Sequence, residues 1–288
     1  MVTGLLPEVT GTMTIGIVGL GLIGGSFAKA CQAAGRRVYG FDIDETILSF
    51  AELSGAINGV LDEHTIGRCE AIIIAVKPGD AVAYLEKTTP AIPKGTLVID
   101  CCGVKRSVCS RCFPLAKQYG FTFVGGHPMA GSHKAGFKNS RADMFHGVYM
   151  ILVPPVYDDP VLFGRIEEVL KPVGFGHFTV TTAEKHDEMI AFSSQMAHIV
   201  SNAYIKSPSA KGHKGFSAGS YKDLTRVARL DANMWGELLM DNSEYLIREL
   251  DGFMQSVTLY RDALAAGDRE ELVELLEEGS RLKGELDR

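Results

Sequence analysis

No apolar run in the chain approaches the ~20 residues that a membrane-spanning helix needs; the longest are strand-sized. Blocks of like charge are absent too. With 29 basic and 35 acidic side chains the net charge is −6, which argues against a nucleic-acid stripe and means that an anionic ligand must be met by cations gathered locally. The leader, residues 1–12, lacks the basic start and apolar core of a signal peptide, and the ordered chain is expected to begin near Met13. These absences point to a cytoplasmic protein with neither membrane nor nucleic acid among its partners.

A metal site is also not expected. Of six cysteines, Cys101, Cys102, Cys109 and Cys112 cluster, and the last two form a C-x-x-C pair of the kind that binds zinc. However, adjacent residues on an extended backbone point to opposite sides, so Cys101 and Cys102 do not complete a ligand set. Reduced, semi-buried thiols in a cytosolic protein are the simpler reading, as they are for Cys31 and Cys69.

What is present is a core-forming composition, 46% hydrophobic over 288 residues, enough for one large domain or two medium ones. Short apolar strands at residues 14–18, 37–41, 71–75, 96–99, 121–124, 148–153 and 175–180 alternate with helical stretches at 26–34, 45–54, 81–88 and 162–170. Nearly continuous apolar strands separated by helices predict a parallel sheet covered on both faces. From Thr182 onward the pattern is helical. Residues 183–205 read as one long helix, 207–221 as a Gly-, Ser- and Lys-rich loop, and 224–229, 234–250, 253–266 and 269–283 as further helices. The expected organisation is an α/β, Rossmann-type dinucleotide-binding domain over 13–180, then an all-helical dimerisation and substrate domain over 181–288. The apolar stripes after residue 230 are too many for a small bundle to bury, which predicts a homodimer through the C-terminal helices.

The run Gly-Leu-Gly-Leu-Ile-Gly-Gly, Gly19 to Gly25, follows the first strand and opens a helix. Gly19 allows the tight turn, Gly21 lets backbone approach a pyrophosphate, and Gly24 lets helix pack on strand. The helix N-terminus, with Leu22 and Ile23, then faces the phosphates. Gly25 fits a packing role better than a contact. Asp42 ends the second strand at the distance expected of a ribose-binding carboxylate. No cation adjoins it to accept a 2′-phosphate, so NAD is favoured over NADP. Asp44 suits the N-cap of the next helix. Val76, Lys77 and Pro78 lie where another strand reaches the ligand edge.

His127 sits in Gly-Gly-His-Pro-Met-Ala-Gly, just after a strand, with glycines on both sides and an extended backbone imposed by Pro128. A structural histidine and a catalytic one both fit that setting. The chain here resembles the prephenate and arogenate dehydrogenases. The resemblance rests on the Gly19–Ser26 turn, on Gly-Gly-His-Pro-Met-Ala-Gly-Ser at 125–132, on Tyr-Lys-Asp-Leu-Thr-Arg-Val-Ala at 221–228, and on Met234-Trp235. It runs from about Met13 to the C-terminus, and neither a fused chorismate mutase segment nor an ACT domain is expected.

The resemblance implies oxidative decarboxylation of prephenate to 4-hydroxyphenylpyruvate, with hydride passing to NAD. His127 would act as the base on the C4 hydroxyl, a role suited to a neutral imidazole. Arg226 would grip a substrate carboxylate with its planar fork, and Asp223 would orient Arg226 or hold the tautomer of His127. Ser194 and His198 would bind substrate or the nicotinamide side. A water, Ser132 or Ser194 would substitute for the hydrogen bond that Gly103 cannot give to the substrate hydroxyl, His133 would add positive charge near the entry, and Lys206, Lys211, Lys214 and Lys222 would form either a basic rim or a solvated loop. Three departures stand out: Gly103 replaces the usual serine, Gln195 the middle histidine of Ser-His-x-Pro-His, and His133 an acid. The alternatives are arogenate as substrate, giving tyrosine, and a non-catalytic NAD-dependent sensor.

Overall fold

The computed structural model describes residues 12–131 and 134–287. Eight strands form one sheet: β1 (Thr14–Val18), β2 (Arg37–Phe41), β3 (Gly59–Val60), β4 (Ala71–Ile74), β5 (Leu97–Asp100), β6 (Thr122–Pro128), β7 (Tyr149–Val153) and β8 (His177–Val180). Their order is β3-β2-β1-β4-β5-β6-β7-β8. From β3 to β6 every neighbour is parallel, but β7 runs antiparallel to β6 and carries β8 with it. The expected all-parallel sheet thus ends at β6. Among the described residues between β6 and β7 there is a short 3₁₀ turn, Phe137–Asn139, and no α-helix. A parallel return usually runs through a crossover helix.

The sheet is flanked by α1 (Leu22–Ala33), α2 (Glu45–Leu53), α3 (Pro78–Thr88), α4 (Arg106–Tyr119) and α5 (Pro160–Leu170). Helix α4 has no counterpart in the sequence reading, because its cysteines suggested ligands instead of a helix face. Val108, Cys109, Cys112 and Ala116 recur at helical spacing and are all buried, and Gly120, at φ 84°, ends the helix in the left-handed region. All six cysteines are free, and among the described residues no cluster could hold a metal ion. Burial pushes the Cys112 thiol up to about 12, with the Asp100 charge adding to the effect, so it acts as an apolar group. Phe27, Phe145 and Phe175 meet at ring separations of 4.4 to 5.8 Å and fill the core on one face of the sheet.

The remaining helices are α6 (Ala183–Ile190), α7 (Ala197–Tyr204), α8 (Gly219–Thr225), α9 (Ala232–Asp241), α10 (Ser243–Ala266) and α11 (Arg269–Leu286). The predicted long helix is α6 and α7 joined by a π-helical segment, Ala191–Met196. The expected loop already turns at Pro208–Gly212 and enters α8 at Gly219, and Asn242 divides the helix expected over 234–250. Two compact units result: residues up to Met189 with Arg229–Asp241, and Ile190–Ala228 with the chain from Asn242 onward. Helices α6 and α9 therefore belong to the sheet unit. Among the described residues no helix is long and apolar enough to cross a membrane.

Glycine is required at two points of the first turn. Gly19 has φ 83°, and a Cβ on Gly24 would overlap the Gly19 carbonyl oxygen, whereas one on Gly21 would meet nothing within 4 Å. Gly24→Ala should therefore cost on the order of 1–3 kcal/mol through overpacking, and Gly21→Ala should leave folding nearly unchanged. Thermal melting of the two variants checks this, and equal losses would contradict it.

Candidate active site

The first turn builds a cradle at the sheet's C-terminal edge. Helix α1 starts at Gly21 with no side-chain cap and no acid in its first turn, leaving its N-terminal N–H groups to a ligand. The Asp42 carboxylate stands beside it, fixed by the N–H of Leu20 at 2.7 Å and of Asp44 at 3.0 Å. Each carboxylate oxygen retains acceptor capacity for a hydroxyl. Asp44 itself caps α2 by accepting from Thr46 N–H at 2.9 Å. Gly25 packs instead of binding, since a Cβ there would press on Phe137 and Ser140. Val76 closes over Gly19, and Lys77 is the exposed N-cap of α3, ahead of Pro78. Leu22 and Ile23 form the half-buried first turn of α1.

His127 lies inside β6, not after it, paired with Ile151 of β7. The glycines before it answer to packing, because a Cβ on Gly126 would overlap the Asp100 carbonyl and one on Gly125 would crowd Cys109 Sγ. Behind the half-buried His127 ring runs a chain of buried polar groups that the sequence pattern did not mark. His127 Nδ1 lies 2.9 Å from His186 Nε2, and His186 Nδ1 lies 2.7 Å from Asp187 Oδ1. Asp187 also accepts the backbone N–H of Lys105 at 2.7 Å and of Arg106 at 2.9 Å. The Lys105 ammonium is fully buried against Asp100, whose other oxygen accepts Gly126 N–H at 3.0 Å. The only sequence hint was the adjacency of His186 and Asp187 on a helix that otherwise reads as amphipathic.

Electrostatics follow from this enclosure. Burial, then the neighbouring His186 and Lys105, holds the His127 imidazole well below the usual histidine range. Burial also lowers His186, against the pull of Asp187. Burial would raise Asp187, but hydrogen bonds from His186, Arg106 and Lys105 outweigh it and keep the acid ionised.

In the second unit, Ser194 and His198 are linked through the main chain: His198 Nδ1 donates to the Ser194 carbonyl at 2.8 Å across the end of the π segment. Such segments are frequent at functional sites. Gln195, two per cent exposed, accepts from Asn242 at 2.8 Å and is a buried joint, not a ligand-facing group. Arg226 caps α8 and is exposed, as is Asp223. No ion pair joins the two among the described residues. The group within hydrogen-bonding distance of His127 Nδ1 is His186. Ser132 and His133 lie outside the described residues. In the sheet unit, Leu238 of α9 stands 3.2 Å from where a Gly103 side chain would begin. Beside the end of β6, a recess of about 680 Å³ is lined by Met129, Gly131, Lys134, Lys138 and Arg141.

Comparison with known proteins gives the same picture. The family model described as prephenate dehydrogenase, nucleotide-binding domain, matches residues 27–179, and that described as prephenate dehydrogenase, dimerization domain, matches 182–278. The chain belongs to the prephenate dehydrogenase family. Prephenate dehydrogenase of Bacillus subtilis is 30% identical over 269 residues, 90% of this chain and 72% of that one. Cyclohexadienyl dehydrogenase of Zymomonas mobilis is 26% identical, covering 93% and 94%. Among solved structures, prephenate dehydrogenase from Aquifex aeolicus in complex with hydroxyphenyl propionate and NAD+ aligns with a TM-score of 0.83 at 27% identity, over 97% of this chain and all of that one. Synechocystis arogenate dehydrogenase aligns at 0.78 and 25%, over 94% and 99%.

The depressed histidines make stability depend on pH. Below about pH 6.5 the unfolded chain binds protons at these positions that the folded one refuses. Their stabilising contribution is full above that value and is lost as pH falls toward the folded-state values. Melting between about pH 8 and pH 5 should show Tm dropping below ~6.5, less steeply in His186→Gln. An equal slope in that variant would contradict it.

Proposed function

We propose that this chain catalyses the NAD-dependent oxidative decarboxylation of prephenate to 4-hydroxyphenylpyruvate, with His127 as the base. The observation that carries the reading is a histidine at the C-terminal end of a strand, beside the dinucleotide cradle's edge of the sheet, kept neutral by its surroundings. Membership of the prephenate dehydrogenase family supports it. The cradle suits a dinucleotide: Gly21 leaves open space, α1 offers its N–H groups, and Asp42 presents a carboxylate that would repel a 2′-phosphate. Bound NAD supplies the hydride acceptor.

His127 takes the C4 hydroxyl proton as the C4 hydride departs, and loss of the ring carboxylate as carbon dioxide then aromatises the product. Arg226, exposed at the end of α8, is the residue to hold a substrate carboxylate in a bidentate grip. Ser194 and His198, set by the π segment, bind substrate or the nicotinamide side. Lys134, Lys138 and Arg141 add positive potential near His127, which suits a dianionic substrate.

We further propose a cytoplasmic homodimer through the C-terminal helices. Ile247, Met254, Val257, Leu264 and Leu276 lie exposed on α10 and α11, an apolar surface that a second copy would cover. Light scattering should give the mass of two chains, and a charge at Met254 (Met254→Glu) should weaken the association. A monomer at micromolar concentration would refute it.

Turnover decides the main reading. Purified protein with NAD and prephenate should give reduced cofactor and carbon dioxide, and arogenate as the better substrate would select the second reading. His127→Asn should lower kcat by at least ~100-fold, the scale of lost acid–base help. Arg226→Ala should mainly raise KM. Absence of turnover with both substrates would overturn the proposal.

A further inference from the structure

We propose that His186 and Asp187 are the positioning pair of the reaction: they fix the tautomer of His127 and take over its positive charge when it accepts the substrate proton. This rests on His127 being the base. The assignment of protons follows from the chain of contacts. Asp187 is a carboxylate held on both oxygens by the N–H groups of Lys105 and Arg106. An ionised carboxylate only accepts, so the 2.7 Å contact requires the proton on His186 Nδ1. His186 Nε2 then holds a lone pair, and the 2.9 Å contact requires the proton on His127 Nδ1. His127 Nε2 is left as the basic nitrogen.

The same chain accounts for where the charge goes. An imidazolium on His127 would be disfavoured by burial and by the Lys105 ammonium. Burial and Lys105 oppose a charge on His186 too, but His186 has the Asp187 carboxylate in direct contact to offset them. The C4 hydroxyl proton bonds to His127 Nε2, and the O–H electron pair becomes the new C=O bond as hydride leaves C4 for NAD. The Nδ1 proton of His127 passes to His186 Nε2. The positive charge ends on His186, in contact with Asp187, and the proton returns to solvent after turnover. His186 and Asp187 are 2% and 0% exposed, so this pairing operates away from water, where it is strong. Among the described residues, the charged and titratable groups facing the chain are Lys105, Arg106 and Cys109 at the start of α4, Asp100 of β5 and Asp241 of α9.

Two measurements test the pair. His186→Gln keeps an acceptor oxygen for His127 Nδ1 but cannot take the proton. It should lower kcat by ~10–100-fold with KM within about twofold. Asp187→Asn should also lower kcat and move the acid limb of the kcat–pH profile to lower pH, because the carboxylate that favours the protonated pair is gone. A purely structural role would not shift that limb. Nitrogen-15 NMR of the wild-type imidazoles, without substrate, should show both His127 and His186 protonated at Nδ1 and bare at Nε2, whether or not the variants fold. A kcat for His186→Gln within twofold of wild type, or a His127 ring protonated at Nε2, would overturn the inference. Absence of wild-type turnover would instead refute the proposed function, leaving the tautomer result to stand or fall by itself.

Discussion

Lys105 is the residue on which the site depends, because it serves two buried carboxylates at once. Its ammonium neutralises Asp100 at the end of β5, and its backbone N–H holds Asp187 of α6. Asp100 in turn receives the N–H of Cys102 and of Gly126, the residue before His127. Strands β5 and β6 and the starts of α4 and α6 are thereby tied at one point. A buried ion pair is weak evidence of net stability, but removing one partner typically costs 3–5 kcal/mol, because a charge is stranded. What the pair provides is register: β6 cannot slip without pulling Gly126 from Asp100 and His127 from His186.

That arrangement separates what was legible in the sequence from what was not. Local rules were readable. The Gly19–Gly24 turn, the Asp44 cap and the apolar strands β1, β2, β4, β5 and β6 each follow from a few neighbouring residues, whereas the two-residue β3 was not marked. The antiparallel β7 was not readable, since strand direction depends on what the connection can span, not on strand composition. Helix α4 was hidden because cysteine serves both as ligand and as small apolar residue, and only burial tells which.

The candidate site divides in the same way. His127 stood out because glycines and proline flank it in sequence. His186 and Asp187 did not, because their meaning comes from Lys105, more than eighty positions earlier, and from His127, fifty-nine residues before His186. Arg226 and Asp223 share a helix spacing that suggested an ion pair, yet both lie exposed and no ion pair joins them among the described residues. Spacing brings side chains to one face; it does not oblige exposed side chains to pair, where the gain is small.

The departures from the family pattern then take a physical sense. Gln195 faces Asn242 as a buried amide pair, so the lost histidine is replaced by a structural joint. At Gly103, Leu238 of α9 lies 3.2 Å from where a side chain would begin, so an apolar neighbour packs against this position. His127 is held from behind, through His186, Asp187 and the start of α4. A proposed base held in this way keeps its other ring nitrogen unencumbered. Asp187 makes this arrangement robust, because each of its oxygens is anchored by a backbone N–H whose position follows from the helix and not from a mobile side chain.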